Sequence, residues 1–198
     1  MLSWKSVAAG VLLAAGVSIG GCPSGGSGGD GTSTVESQLV GSWSGSLATT
    51  RVQTAGSGNP LTTTSTKSLS IEFDSEGRPA SVLVLGFSGG PDQSAVLQNK
   101  GDTVTLNSTN SSFAVTQVVT VTDARFTNTK TTLVLNIDYT STGGALTQTG
   151  TGTQTIEATF SNGAVNFRMD VEYDISFQFS GGSVATVETT ESTGTLTQ

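Results

Sequence analysis

Few side chains in this chain could do chemistry. It has no histidine and a single cysteine, Cys22. Without an imidazole there is no Ser-His-Asp or Cys-His relay and no metal site that requires one. A lone cysteine cannot close an internal disulfide. Carboxylates remain. Asp170, Glu172 and Asp174 alternate along one stretch, and Asp74-Ser75-Glu76-Gly77 makes a short acidic segment. Alternate residues on a strand face lie about 6.6–7 Å apart, whereas Ca²⁺ gathers oxygens within about 2.3–2.6 Å of one centre. The triplet therefore reads as a solvated face. The Asp74 segment lacks the later ligands of a calcium loop and reads as a turn. No spacing picks out the carboxylate pair that glycoside hydrolysis needs. The expectation is a non-catalytic protein with no cofactor and no metal.

The elements around these residues are strands. Val165 to Phe179 reads V-N-F-R-M-D-V-E-Y-D-I-S-F-Q-F, apolar at every odd position and polar at every even one. A period of two places Phe167, Val171, Ile175 and Phe177 on one face and Arg168, Asp170 and Glu172 on the other. At about 3.3 Å per residue the run extends roughly 45–50 Å, well past the usual ~5–6 residues. A strand so long and one-sided needs equally long neighbours and a covered face. The same reading gives strands over 38–47, 62–73, 113–126, 131–142, 145–160 and 183–198. Short strands fall at 93–98 and 103–107. Asn162-Gly163 is a strong hairpin signal. Ala80 to Phe87 is apolar on both faces, so it must be covered on both sides or protected at an edge. The last four strands are joined by short turns and form an antiparallel meander. The predicted fold class is all-β: an up-and-down antiparallel barrel, or a near-closed coiled sheet, of about eight to ten strands.

Thr147 to Thr155 place threonines at every second position, as the wet face of an ordinary strand does. Across the strand, Gly150 and Gly152 fall where Leu or Val is expected. Glycine there marks a bend or a close backbone approach, or leaves room for a ligand. Charged residues make up 12% of the chain and the net charge is −7. The basic residues are scattered, so nucleic acid is not an expected partner, and anionic membrane surfaces repel the domain.

The amino terminus is organised as an address. Lys5 precedes an apolar run, Val7 to Ile19, too short to span a bilayer comfortably. Ile19-Gly20-Gly21-Cys22 resembles the lipobox of bacterial lipoproteins. The resemblance implies cleavage of residues 1–21, lipidation (diacylglycerol and palmitate-type acyl chains) on Cys22, and a membrane-anchored place in the bacterial cell envelope, facing the periplasm or the cell surface. Residues 22–34 carry the lipidated Cys and a flexible Gly/Ser tether. Residues 35–198 form a single β-barrel domain. A second resemblance lies at its start. Gly41-Ser42-Trp43 resembles the G-x-W of the first strand in lipocalin-like (calycin-type) barrels, and Leu39, Gly41, Trp43 and Gly45 match a wider L-x-G-x-W-x-G.

The lipocalin resemblance implies a small hydrophobic ligand or lipid held in a cup. The expected ligand-lining residues are Trp43, Phe160, Phe167, Met169, Tyr173 and Phe177. The alternative is a structural or protein-interaction module of the envelope whose β core is packed solid. The expected partners are the membrane, through the N-terminal lipid anchor, and an apolar ligand.

Overall fold

A computed structural model describes residues 36–87, 90–109 and 113–198. Cys22, the leader and the tether lie outside the described residues. The described residues run through ten strands: β1 (Gly41–Ala55), β2 (Leu61–Phe73), β3 (Val82–Val84), β4 (Gln93–Ala95), β5 (Thr103–Thr109), β6 (Ala114–Phe126), β7 (Lys130–Gly143), β8 (Leu146–Ser161), β9 (Ala164–Phe179) and β10 (Gly182–Thr197). Eight form one antiparallel sheet in the order β2-β1-β10-β9-β8-β7-β6-β5, and β3 and β4 form a separate hairpin. The meander runs from β5 to β10, and β10 then pairs with β1. The turn at Asn162 and Gly163 has positive φ at both residues (54° and 77°), as a tight hairpin needs.

The sheet curls into a half-barrel. In a flat sheet β2 and β6 would stand about 29 Å apart, six spacings of about 4.8 Å. Yet neighbouring residues of the small hairpin reach both. Asp92 accepts a hydrogen bond from Lys67 of β2 at 2.5 Å, and Gln93 donates to Gln117 of β6 at 3.4 Å. Among the described residues β2 and β5 do not pair, so the curl stops short of a closed barrel.

The concave side is the core. Along β9, Val165, Phe167, Met169, Val171, Tyr173 and Ile175 are buried, while Arg168 and Glu172 are exposed. The described residues between Ala80 and Leu97 dip into this concavity. Val82, Val84, Leu85, Phe87, Ala95 and Leu97 are all buried there. That explains a stretch that is apolar on both faces: the half-barrel covers it from more than one side.

Strand directions give the domain two ends. One end, the base, gathers residues 36–40, the turns at 74–78, 99–102, 127–129 and 162–163, and the carboxyl terminus. The other end, the tip, gathers the turns β1–β2, β7–β8 and β9–β10 and the paired ends of β5 and β6. The base is tied across the concavity. Ser37 N–H donates to the Ser75 carbonyl and Gln38 N–H to the Asn128 carbonyl, while the Thr131 hydroxyl reaches the Gly77 carbonyl. Trp43 sits here, its Nε1 donating to the Leu39 carbonyl at 2.6 Å and its ring edge-on to Phe160 at 5.9 Å.

Candidate functional site

The small hairpin is held in the concavity by polar side chains that the sheet points inward. Gln154 of β8 clamps it, accepting from Leu85 N–H at 2.9 Å and donating to the Leu83 carbonyl at 2.7 Å. Tyr173 of β9 donates to the Leu85 carbonyl at 2.5 Å and accepts from Gln117 Nε2 at 3.1 Å. Arg51 of β1 donates to the Gly86 carbonyl at 3.1 Å and pairs with Glu188 of β10 at 3.1 Å. The Glu188 side chain is fully buried. Such groups are costly inside a protein unless they bond one another, and here they fix where the hairpin lies.

The network also fixes proton positions. Burial, and then the charge of Glu188, push the Tyr173 phenol well above its ordinary value of 10.0. Burial raises Tyr139 in the same direction, with a lesser contribution from Glu188. A pKa raised on folding means the native state keeps a proton that the unfolded chain gives up. The associated stability is complete below about pH 10 and drains away as pH climbs beyond it. Tyr173→Phe is therefore expected to flatten the alkaline loss of stability, with Tyr139 supplying the remainder. At neutral pH it should cost about 1–3 kcal/mol, because the Leu85 carbonyl loses its donor. Urea midpoints followed from about pH 8 to 12 check both effects. A slope above pH 10 that does not change in the variant would refute the assignment.

At the tip a groove of about 600 Å³ is lined by Ala55, Leu61, Leu146, Phe177, Phe179 and Val184, with Gln53, Asn59 and Thr186 at its margin. The apolar members all sit at inward-facing positions of their strands, so the groove is the mouth of the half-barrel as the described residues form it. Phe177 forms part of its floor, 6.0 Å from Phe87 between ring centroids. Leu61 is 61% exposed, Phe179 47% and Val184 37%. A groove of this size is within the ~300–1,000 Å³ range of small-molecule sites.

The mouth is also uncharged. Residues 52–66, 103–122, 139–156 and 175–187 contain no Asp, Glu, Lys or Arg. These four stretches are the tip ends of the eight sheet strands. The charges of the domain lie toward the middle and the base.

The residues expected to line a cup divide between mouth and core. Phe177 lines the mouth. Trp43, Phe167, Met169 and Tyr173 are buried in the core, and Phe160 is half-buried against Trp43 at the base. The space beside Gly152 is taken by the Tyr173 ring: a Cβ at Gly152 would lie 2.5 Å from its Cδ1 and Cε1. A Cβ at Gly150 would collide with the Asp174 carbonyl. These glycines thus admit close neighbours.

The carboxylates lie elsewhere. Asp170, Glu172 and Asp174 point from the convex face, and Asp170 pairs with Arg168 at 2.6 Å. A shallow groove of about 400 Å³ on that face is bordered by Thr153, Thr155, Asp170, Glu172 and Glu191. The Asp74 carboxylate accepts from the backbone N–H of Glu76 at 2.9 Å and of Arg78 at 2.8 Å, so it shapes its own turn. Among the described residues no three His, Cys, Asp or Glu side chains converge as a metal site would need.

Comparison with models of protein families, with curated proteins and with solved structures finds no match to this chain. The curled antiparallel half-barrel is compatible with a lipocalin-like fold.

Proposed function

We propose that this protein is a non-catalytic binding protein of the bacterial envelope that holds a small hydrophobic ligand, or the acyl chain of a lipid, in the mouth of its half-barrel. The observation that carries this reading is the mouth itself. Exposed Leu61, Phe179 and Val184 surround a groove of about 600 Å³ at strand ends that carry no charge. An apolar ligand gains from burial there and meets no ion that would have to be desolvated. The lipoprotein reading of Cys22 and the tether completes the proposal: a lipid anchor would attach the chain on the side of residue 36, at the base, leaving the mouth at the far end. The filled interior favours a second reading, the solid-cored interaction module.

Titration of residues 34–198 with an uncharged solvatochromic dye, then with dodecanol as competitor, separates the two. This unit contains every described strand and the whole described core. The binding protein should show saturable, competable binding that hardly responds to salt, since no charge takes part. Phe179→Ser should weaken binding about tenfold, the equivalent of about 1.4 kcal/mol of lost burial. It should shift stability by no more than about 0.5 kcal/mol, as befits an exposed position. Absence of saturable binding, or affinity indifferent to Phe179→Ser, would leave the interaction module.

A further inference from the structure

The outermost strand of the sheet, β2, ends in an unpaired hydrogen-bonding edge. It pairs with β1 from Leu61 to Phe73 without a register shift. The Glu72 carbonyl accepts from Ala80 N–H at 2.8 Å, so Glu72 turns its peptide groups away from β1. In an antiparallel ladder alternate residues face the same neighbour. The N–H and C=O groups of Thr62, Thr64, Thr66, Ser68 and Ser70 therefore face the same open side. Among the described residues, Pro79 and Ala80 pair with this edge at its base end, before the chain turns inward to β3. Toward the tip, residues 61–66 are exposed on both faces. Natural edges are usually blunted by proline, a bulge or a projecting lysine. This run has no internal proline and no bulge, and its one lysine, Lys67, is held by Asp92 at 2.5 Å.

We propose that β2 is the interface of a symmetric dimer, in which β2 of one copy pairs antiparallel with β2 of a second copy about a two-fold axis near Thr64. The alternation allows this register: it sets Thr64 against itself and Thr62 against Thr66, each with its peptide groups on the open side. It also sets Leu61 across from the aliphatic stem of Lys67. Charge permits a second copy at this place. Each chain carries −7, and like-charged copies repel. Residues 52–66 are the uncharged part of the β1–β2 hairpin, so the two copies meet where neither has charge. The acidic Asp170, Glu172 and Glu191 lie on β9 and β10, at least two strands in from the edge. Across the axis they are roughly 20 Å or more apart at strand spacing, beyond the ~8 Å screening length of physiological salt. Pairing of β2 with the other edge, β5, is disfavoured: β5 has 7 residues against 13, so fewer peptide groups of β2 would find partners.

Sedimentation equilibrium of residues 34–198 tests the dimer. The wild type should sediment as a dimer, and Thr64→Pro as a monomer with an unchanged near-ultraviolet spectrum. The proline removes an N–H that faces the open side and leaves the β1 ladder intact. Thr64→Cys provides a second arm that does not depend on tolerating proline. Across the axis the Cα atoms should be about 5.5 Å apart, within disulfide reach. Mild oxidation should then link Thr64→Cys into covalent dimers while Thr149→Cys, on the convex face, gains no covalent link. A wild type that is monomeric up to its solubility limit would overturn the proposal. So would a dimer that survives Thr64→Pro, an open series of larger oligomers, or equal cross-linking at the two cysteine positions. The dimer does not rest on ligand binding at the mouth, and Thr64 is outside that groove.

Discussion

Phe87→Ala is expected to destabilise the domain by about 3–5 kcal/mol, the range for truncating a well-packed buried aromatic. Phe87 is the plug between core and mouth. It is 2% exposed and meets Tyr139, Tyr173 and Phe177 at ring-centroid distances of 5.5, 5.7 and 6.0 Å. Edge-on pairs of this kind contribute beyond the area they bury. The hydrogen bonds from Tyr173 and Gln154 hold the neighbouring backbone in place, so the walls cannot collapse freely into the vacated space. The urea midpoint should fall with no change in slope, the sign that stability rather than compactness has changed. A loss below about 1 kcal/mol would mean that the hairpin is not packed as a core element.

Arg51→Met should cost a similar amount, about 3–5 kcal/mol, for an electrostatic reason. It keeps an apolar stem and takes the guanidinium away from Glu188, whose carboxylate stays buried. Removing one member of a buried pair is far more damaging than replacing both. Arg51 also donates to the Gly86 carbonyl, so the hairpin loses an anchor as well. Adding Glu188→Leu to Arg51→Met should recover a large part of the loss, and a double-mutant cycle measures the coupling. The contrast is Arg168→Met. Arg168 is half exposed and pairs with Asp170 and Glu191 on the convex face, and its loss should stay within about 1 kcal/mol. Equal costs for Arg51 and Arg168 would refute the buried pair.

The strands of this domain were legible because their inward faces are apolar. From Val165 to Phe179 the period of two assigns every side chain to the face where the structure has it. β10 shows where that signal fails. Its inward row is Thr186, Glu188, Thr190 and Ser192, all buried, so polarity there says nothing about burial. The same holds for Gln154 on β8 and Gln117 on β6. Gln154 bonds the hairpin's backbone, and Gln117 bonds the Tyr173 hydroxyl and the Gln93 side chain, long-range pairings with no local trace. Ala80 to Phe87 announced that it needed cover on both sides, but its place inside the half-barrel depends on the curl of strands far from it in sequence. At the mouth, Phe177 was legible from its alternation. Phe179 shares that alternation, whereas Leu61 and Val184 sit at strand ends, where there are too few neighbours to establish a period. The signal that marks them is the absence of charge from four separate stretches, which becomes meaningful once the hairpins converge on one end.

The most direct test of ligand binding at the mouth is a methyl NMR titration of residues 34–198 with dodecanol. If the mouth is the site, shifts should concentrate at Leu61, Leu146 and Val184, with Leu135, Ile156 and Met169 unmoved in the filled core. Saturating shifts that centre on Met169 and Ile156, or the absence of any saturable shift, would contradict it.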